Sequence, residues 1–186
     1  MERVVTGLRA RGLRQLVLAP RSFACVQESA RTLRPAPPKL KRVARADTTF
    51  LVTNMMRSVL NEGTGAPARA AGFSLDAAGK SGTTNDLRDA WFVGFTPELL
   101  TVVWVGFDDN QPVGLSGSQA ALPIWTDFMK AATAGRPSRE FDVPEGVTFV
   151  EIDRDNGKLA TPACPRKFTE SFLVGTEPVE LCDLHH

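Results

Sequence analysis

The residues with most chemistry to offer lie together in Ala78-Gly79-Lys80-Ser81-Gly82-Thr83-Thr84-Asn85-Asp86, and Asp89-Ala90-Trp91-Phe92-Val93-Gly94-Phe95 follows closely. Lys80 supplies positive potential for a carboxylate. The hydroxyls of Ser81 and Thr83 can hydrogen-bond the same group. Gly82 has no side chain, so an extended peptide can lie close to the strand and pair with its edge. The Thr83 N–H, aimed into the same cleft, would help stabilise a developing oxyanion. The predicted chemistry is capture of an anionic peptide end by an exposed strand.

A phosphate loop is the rival reading. Gly79-Lys80-Ser81 ends the pattern G-x-x-x-x-G-K-[ST], and Val102 to Asp109 imitates the apolar strand whose final Asp holds magnesium. The spacing fails, because the first glycine belongs at position 74, which is Ser74, and Gly72 is too far back. The context fails as well. A phosphate loop opens a helix, whereas Ser81 is followed by Gly-Thr-Thr-Asn-Asp and an aromatic strand pattern. No cofactor is expected.

Several elements must position this stretch. Leu51, Val52, Met55, Met56, Val59 and Leu60 form one apolar stripe and predict a helix over 47–62, with Asp47 as N-cap and Gly63 as a left-handed C-terminal cap. Gly63-Thr64-Gly65 is a turn. Trp91, Val93 and Phe95 alternate with Phe92, and Leu99 to Phe107 is an apolar run of strand length. Thr96-Pro97-Glu98 is too short for a parallel crossover. Lys80 to Phe107 therefore reads as adjacent antiparallel strands. Ser116 or Ser118 caps a helix over about 118–134 with Ala121, Ile124, Trp125, Phe128, Met129 and Ala132 inward. Pro123 predicts a kink or a later start, and Gly135 closes it. Val147 to Asp153 and Lys158 to Thr161 flank Asp155-Asn156-Gly157, a hairpin signal. The division expected is an arm or linker over 1–46, a central domain over 47–135 and a C-terminal extension with a hairpin over 136–186.

Composition argues against several classes. The 186 residues carry 22 basic and 21 acidic side chains, a net charge of +1, so charge offers no case for nucleic acid or an anionic membrane. Basic residues crowd the first quarter without interleaved aromatics to stack on bases, which reads as a solvated arm. No apolar run approaches a membrane span or a signal-peptide core. Three cysteines are present: Cys25, Cys164 and Cys182. A disulfide between Cys164 and Cys182 would staple a Pro-rich tail. A zinc site with His185 or His186 is the weaker alternative, since no paired C-x-x-C exists, and free thiols suit a cytosolic chain. No metal is expected.

The stretches Ala71-Gly72, Gly79 to Asp86, Asp89 to Pro97, Val103 to Asp108, Gly114 to Ser118, Ala121 to Trp125 and Phe128-Met129 resemble the C-terminal half of a class A penicillin-binding protein transpeptidase domain, of the penicillin-binding protein 1A type. The specific likeness covers about 47–134. The tail with Glu170-Ser171-Phe172 and Gly175-Thr176-Glu177-Pro178 looks like the C-terminal extension of some members. The resemblance implies an α+β fold, an antiparallel sheet with packed helices, within the serine β-lactamase/DD-peptidase-like class. It implies a DD-transpeptidase that cross-links peptidoglycan stem peptides in cell wall and cell shape maintenance, and is acylated by β-lactams. Lys80, Ser81, Gly82 and Thr83 would form the third family motif, K-[TS]-G. The implied location is the periplasmic face of the cytoplasmic membrane, reached through an N-terminal anchor outside this chain, with a stem peptide or β-lactam as partner.

One departure is decisive for chemistry. No serine of the chain has a lysine three residues on, and no S-x-N occurs. Acyl transfer needs a serine activated by a neighbouring base. No catalytic residue is therefore assigned. The expectation is a truncated transpeptidase, one wall of the cleft, inactive without the missing upstream half. The alternative is a non-catalytic module that binds peptidoglycan peptide or a partner subunit.

Overall fold

A computed structural model describes residues 5–9, 27–28, 31–32 and 42–185 of the chain. Most of the arm expected over 1–46 lies outside the described residues, as does His186. Within it, β1 (Val5–Arg9) and the short pair β2 (Gln27–Glu28) and β3 (Arg31–Thr32) are backbone strands. The architecture is α+β, as expected. A four-stranded antiparallel sheet runs in the order β1, β6 (Leu99–Val105), β5 (Ala90–Phe95), β4 (Ala78–Thr83). Helices α1 (Ala46–Asn61), α2 (Ala66–Ala70) and α3 (Gly117–Thr133) pack around it. A separate hairpin of β7 (Val147–Asp153) and β8 (Lys167–Leu173) follows.

The main core joins α3 to one face of the sheet. Ala121, Leu122, Trp125 and Met129 recur at helical spacing, and all four are buried against Ala90, Phe92, Val103 and Val105. Those strand residues alternate in sequence because a strand sends every second side chain to one face. Trp125 meets the edges of Phe73 and Phe92, each with ring centroids 5.1 Å apart. Its indole N–H donates to the Gly94 carbonyl at 3.2 Å. Gly94 is small because the ring needs the space; a Cβ there would sit 2.5 Å from two ring carbons. Phe50, Ala78, Phe95 and Phe141 make a second cluster under α1.

Several expectations need correction. Asp47 is not the N-cap: α1 begins at Ala46, and Asp47 lies in its first turn, accepting from the Thr48 N–H at 2.7 Å and pairing with Arg45. A carboxylate there still complements the helix dipole. Gly63 does not have positive φ. It is a glycine because the chain doubles back so tightly that a Cβ would meet the Val59 Cα at 2.9 Å. Pro123 does not delay α3, which starts at Gly117 with a capping box between Ser116 and Gln119. The Asn156-Gly157 turn forms, with Gly157 at φ 70°. The strand after it does not: Leu159 makes only isolated bridges to Ile152 and Leu181, and β7 pairs instead with β8. Pro162 and Pro165 remove the donors a longer ladder after the turn would use.

The hairpin is tied back to α1. Asn54 donates to Ser171 Oγ at 2.9 Å, and Phe50 meets Phe149 edge-on at 6.0 Å. No helix among the described residues is long and apolar enough to cross a membrane.

Candidate functional site

β4 carries Lys80, Ser81, Gly82 and Thr83 and, among the described residues, is the outermost strand of its sheet and pairs only with β5. Ser81 lies opposite Phe92 and Thr83 opposite Ala90, so both hydroxyls stand on the face that holds the Trp125 core. Lys80 and Gly82 lie opposite Val93 and Trp91 on the other face. Thr84 N donates to the Asp89 carbonyl at 3.1 Å. By the antiparallel alternation, Ser81 and Thr83 then occupy non-hydrogen-bonded pairs, and their own N–H and C=O groups point to the open edge. That edge is where an extended peptide can add.

Neighbouring elements hold these groups. Thr64, in the turn after α1, places its hydroxyl 3.1 Å from Ser81 Oγ. Gly117 N, the first residue of α3, donates to Thr83 Oγ1 at 3.0 Å. The Thr83 hydroxyl accepts there and keeps its own hydrogen for a ligand. Gly117 must be glycine: a Cβ would sit 2.3 Å from the Trp91 carbonyl oxygen and 2.5 Å from that of Gly82. Gly82 itself faces Trp91, whose Cβ would lie 3.2 Å from an added methyl. Lys80 is exposed, and its ammonium donates to the Ser81 carbonyl at 2.9 Å.

The strand end is locked by Asp89. Its backbone N–H donates to Thr84 Oγ1 at 2.8 Å, the Thr84 hydroxyl donates to Asp89 Oδ2 at 3.1 Å, and Trp104 Nε1 donates to Oδ1 at 2.8 Å. Between them Asp86 and Leu87 take left-handed φ of 59° and 54°. Sequence reasoning missed Thr64, Asp89 and Gly117 as supports of the site. Gly63-Thr64-Gly65 reads only as a turn, and nothing local says that a helix start 34 residues on reaches Thr83. Lys80, Ser81, Gly82 and Thr83 lie consecutively on β4.

A second cluster lies at the far end of β7. Cys164 and Cys182 are both buried free thiols, so the expected disulfide is not formed. The space around the sulfurs is shared with Asp153 and His185, and the four ligand-type atoms lie within 4.8 Å of one another. Asp153 is fully buried. Hydrogen bonds from Cys164, the Asp155 N–H, Cys182 and His185 hold its carboxyl far below the usual carboxylate range. Burial pushes the Cys164 thiol up. For Cys182 burial acts the same way but is outweighed by hydrogen bonds from the chain end, and the thiol is shifted down. Contact with Cys182 and Asp153 raises the imidazole of His185. These are donors that can hold a metal: the cysteines and His185 of the weaker zinc alternative, with Asp153 added.

An outer strand bearing Lys-Ser-Gly-Thr, its Thr83 hydroxyl braced by a helix start, on an antiparallel sheet covered by a helix, is the arrangement the comparisons match. The chain belongs to the penicillin-binding protein transpeptidase family: the model described as "Penicillin binding protein transpeptidase domain" matches residues 21–130, more than half of the chain. A second, "Penicillin-binding protein 1A, C-terminal domain", matches residues 143–186. Penicillin-binding protein 1A of Aquifex aeolicus is 39% identical over 159 residues, covering 84% of this chain and 22% of that protein. Penicillin-binding protein 2D of Bacillus subtilis is 37% identical over 153 residues, 78% of this chain and 22% of that protein. The crystal structure of penicillin-binding protein 1A from Haemophilus influenzae superposes with a TM-score of 0.68 at 32% identity, over 77% of this chain and 22% of the other. The chain thus spans about a fifth of the length of the relatives it matches.

Proposed function

We propose that this chain forms the carboxylate-binding wall of a DD-transpeptidase cleft, the part that receives a peptidoglycan stem peptide or a β-lactam during cell wall cross-linking at the periplasmic face of the membrane. The observation that carries the reading is β4: an outer strand whose Ser81 and Thr83 hydroxyls share one face while their peptide groups face the open edge. Lys80 supplies the positive potential. Ser81 and Thr83 hold the ligand carboxylate, and the Thr83 N–H contributes to an oxyanion hole. Acyl transfer requires a serine and its lysine base from outside these residues.

The test has two arms. Incubation of the chain with labelled penicillin, followed by intact mass, is expected to give no covalent adduct; a stable adduct overturns the claim that no competent nucleophile is present. Titration of the isotopically labelled chain with a peptide ending in a D-amino-acid carboxylate is expected to shift the amides of Ser81 to Thr84, and K80A is expected to abolish the shifts. Shifts confined to other residues would refute the assignment of β4 as the binding edge.

A further inference from the structure

We propose that Asp153, Cys164, Cys182 and His185 form a closed tetrahedral site for one zinc-type divalent cation, bound through two thiolates, one imidazole nitrogen and one carboxylate oxygen. The site is distinct from β4 and does not rest on the proposed function. All four ligand atoms lie within 4.8 Å of one another. Cys182 Sγ is 3.3 Å from Asp153 Oδ2 and 3.4 Å from His185 Nδ1. Metal–sulfur bonds of about 2.3 Å and metal–nitrogen bonds of about 2.0 Å place tetrahedral ligands roughly 3.3–3.8 Å apart. The 2.7 Å between Asp153 Oδ2 and His185 Nδ1 has the length of a hydrogen bond and opens when a cation replaces the proton.

The surroundings fit as well as the ligands. Asp153 Oδ1 is occupied by the Asp155 N–H at 2.7 Å, which leaves Oδ2 turned to the sulfurs. On the far side of the imidazole, Asp155 Oδ2 lies 3.7 Å from His185 Nε2, and Arg166 pairs with Asp155. A carboxylate behind a ligating histidine fixes its orientation and raises its basicity. A disulfide would use the two sulfurs but leave a fully buried carboxylate converging on them without purpose; a cation accounts for all four groups. Two thiolates select a soft or borderline metal over magnesium or calcium. Binding breaks two S–H bonds, forms two metal–sulfur bonds and releases the protons to solvent.

With four protein ligands no coordination position is left open, so the cation is structural. Its ligands come from the end of β7, from the loop before β8 and from the chain's final residues. Those segments bury few apolar side chains and meet through isolated bridges at Leu159 and polar contacts such as Lys158 with Glu180 and Asp183. A metal ion would add a buried cross-link to these surface contacts.

The test uses the tag-free chain, purified reduced and without chelator. The expected result is about one zinc per chain by elemental analysis, two thiols that become reactive only after chelation, and, on cobalt substitution, thiolate charge-transfer bands with the intense visible bands of tetrahedral cobalt. C164S and C182S are expected to lose the metal. D155N is expected to keep the stoichiometry while weakening affinity about 10- to 100-fold in chelator competition. A folded, reduced chain with well under one equivalent of zinc overturns the proposal, as do octahedral cobalt bands. So does full zinc retention by folded C182S, which would place the metal on the terminal histidines. A Cys164–Cys182 disulfide forming in the purified chain also overturns it. If the serine variants fail to fold, the wild-type cobalt spectrum decides alone.

Discussion

Gly117→Ala is the perturbation that most directly couples the fold to β4. The added Cβ would lie 2.3 Å from the Trp91 carbonyl oxygen and 2.5 Å from that of Gly82, both fixed in the β4–β5 ladder. Ordinary carbon–oxygen contacts are about 3.3–3.6 Å, so the start of α3 must retreat by roughly 1 Å. That movement carries Gly117 N from 3.0 Å to about 4 Å from Thr83 Oγ1 and breaks the hydrogen bond. Overpacking costs about 1–3 kcal/mol, and the lost bond about 1 kcal/mol more. The sum, about 2–4 kcal/mol, is a large share of a typical stability of about 5–15 kcal/mol. Urea unfolding followed by circular dichroism measures it, and with a slope of about 1–3 kcal/mol per molar the midpoint falls by roughly 1 M or more. Thr83→Val supplies the control. Alone it leaves Gly117 N without its partner and costs about 1–3 kcal/mol; in the Gly117→Ala background it should cost little, because the bond is already gone. A Gly117→Ala midpoint equal to wild type, or strict additivity of the two changes, would refute the idea that α3 braces Thr83.

Two further outcomes are expected. Trp125→Ala removes a fully buried ring packed on Phe73 and Phe92 and should lower stability by about 3–5 kcal/mol, read from the same urea curves; a loss under about 1 kcal/mol would mean the core does not centre on it. Asp47, held by the Arg45 guanidinium and the Thr48 N–H, titrates at about 2 instead of 3.8, and R45A should return it toward the ordinary value in a carboxyl-detected NMR titration. Because the folded value is the lower one, the stabilisation is present above pH 3.8 and is lost as pH falls toward 2. An Asp47 titration unmoved by R45A would reject the pairing.

What was legible in the sequence was chemistry that repeats locally. The alternation of Trp91, Phe92 and Val93 gave the faces of β5, the apolar residues of α3 gave its buried side, and Lys80-Ser81-Gly82-Thr83 marked the strand proposed as the site. What escaped was non-local. Asp155-Asn156-Gly157 correctly marks a turn, but β7 takes its ladder from β8, whose residues carry no signal naming their partner. Gly63 and Gly117 owe their identity to backbone approaching from elsewhere, which no window of sequence reports. Leu87 at φ 54° opposes its own propensity and is held by tertiary bonds: its carbonyl accepts from the Val113 and Gly114 N–H groups at 2.8 and 3.2 Å. Of the cluster around Asp153, the cysteines and His185 stood in the sequence as a zinc alternative, while Asp153, from the end of β7, is the member no local spacing supplies.

The same division between local and distant parts separates recognition from catalysis. Thr64, Gly117 and the Asp89 clamp, all among the described residues, hold Ser81 and Thr83. The recognition geometry proposed for β4 therefore does not depend on a nucleophile being present. Its strength can be bounded. Two hydrogen bonds to a carboxylate contribute about 1.5–3 kcal/mol each, while association costs about 4 kcal/mol or more. The remainder, at most about 2 kcal/mol, corresponds to dissociation constants of tens of millimolar or weaker. Such binding is visible to amide shifts and invisible to most calorimetry. A tight non-covalent complex with a stem peptide would mean that a surface beyond β4 takes part, with the exposed ring of Trp91 beside Gly82 the first place to look.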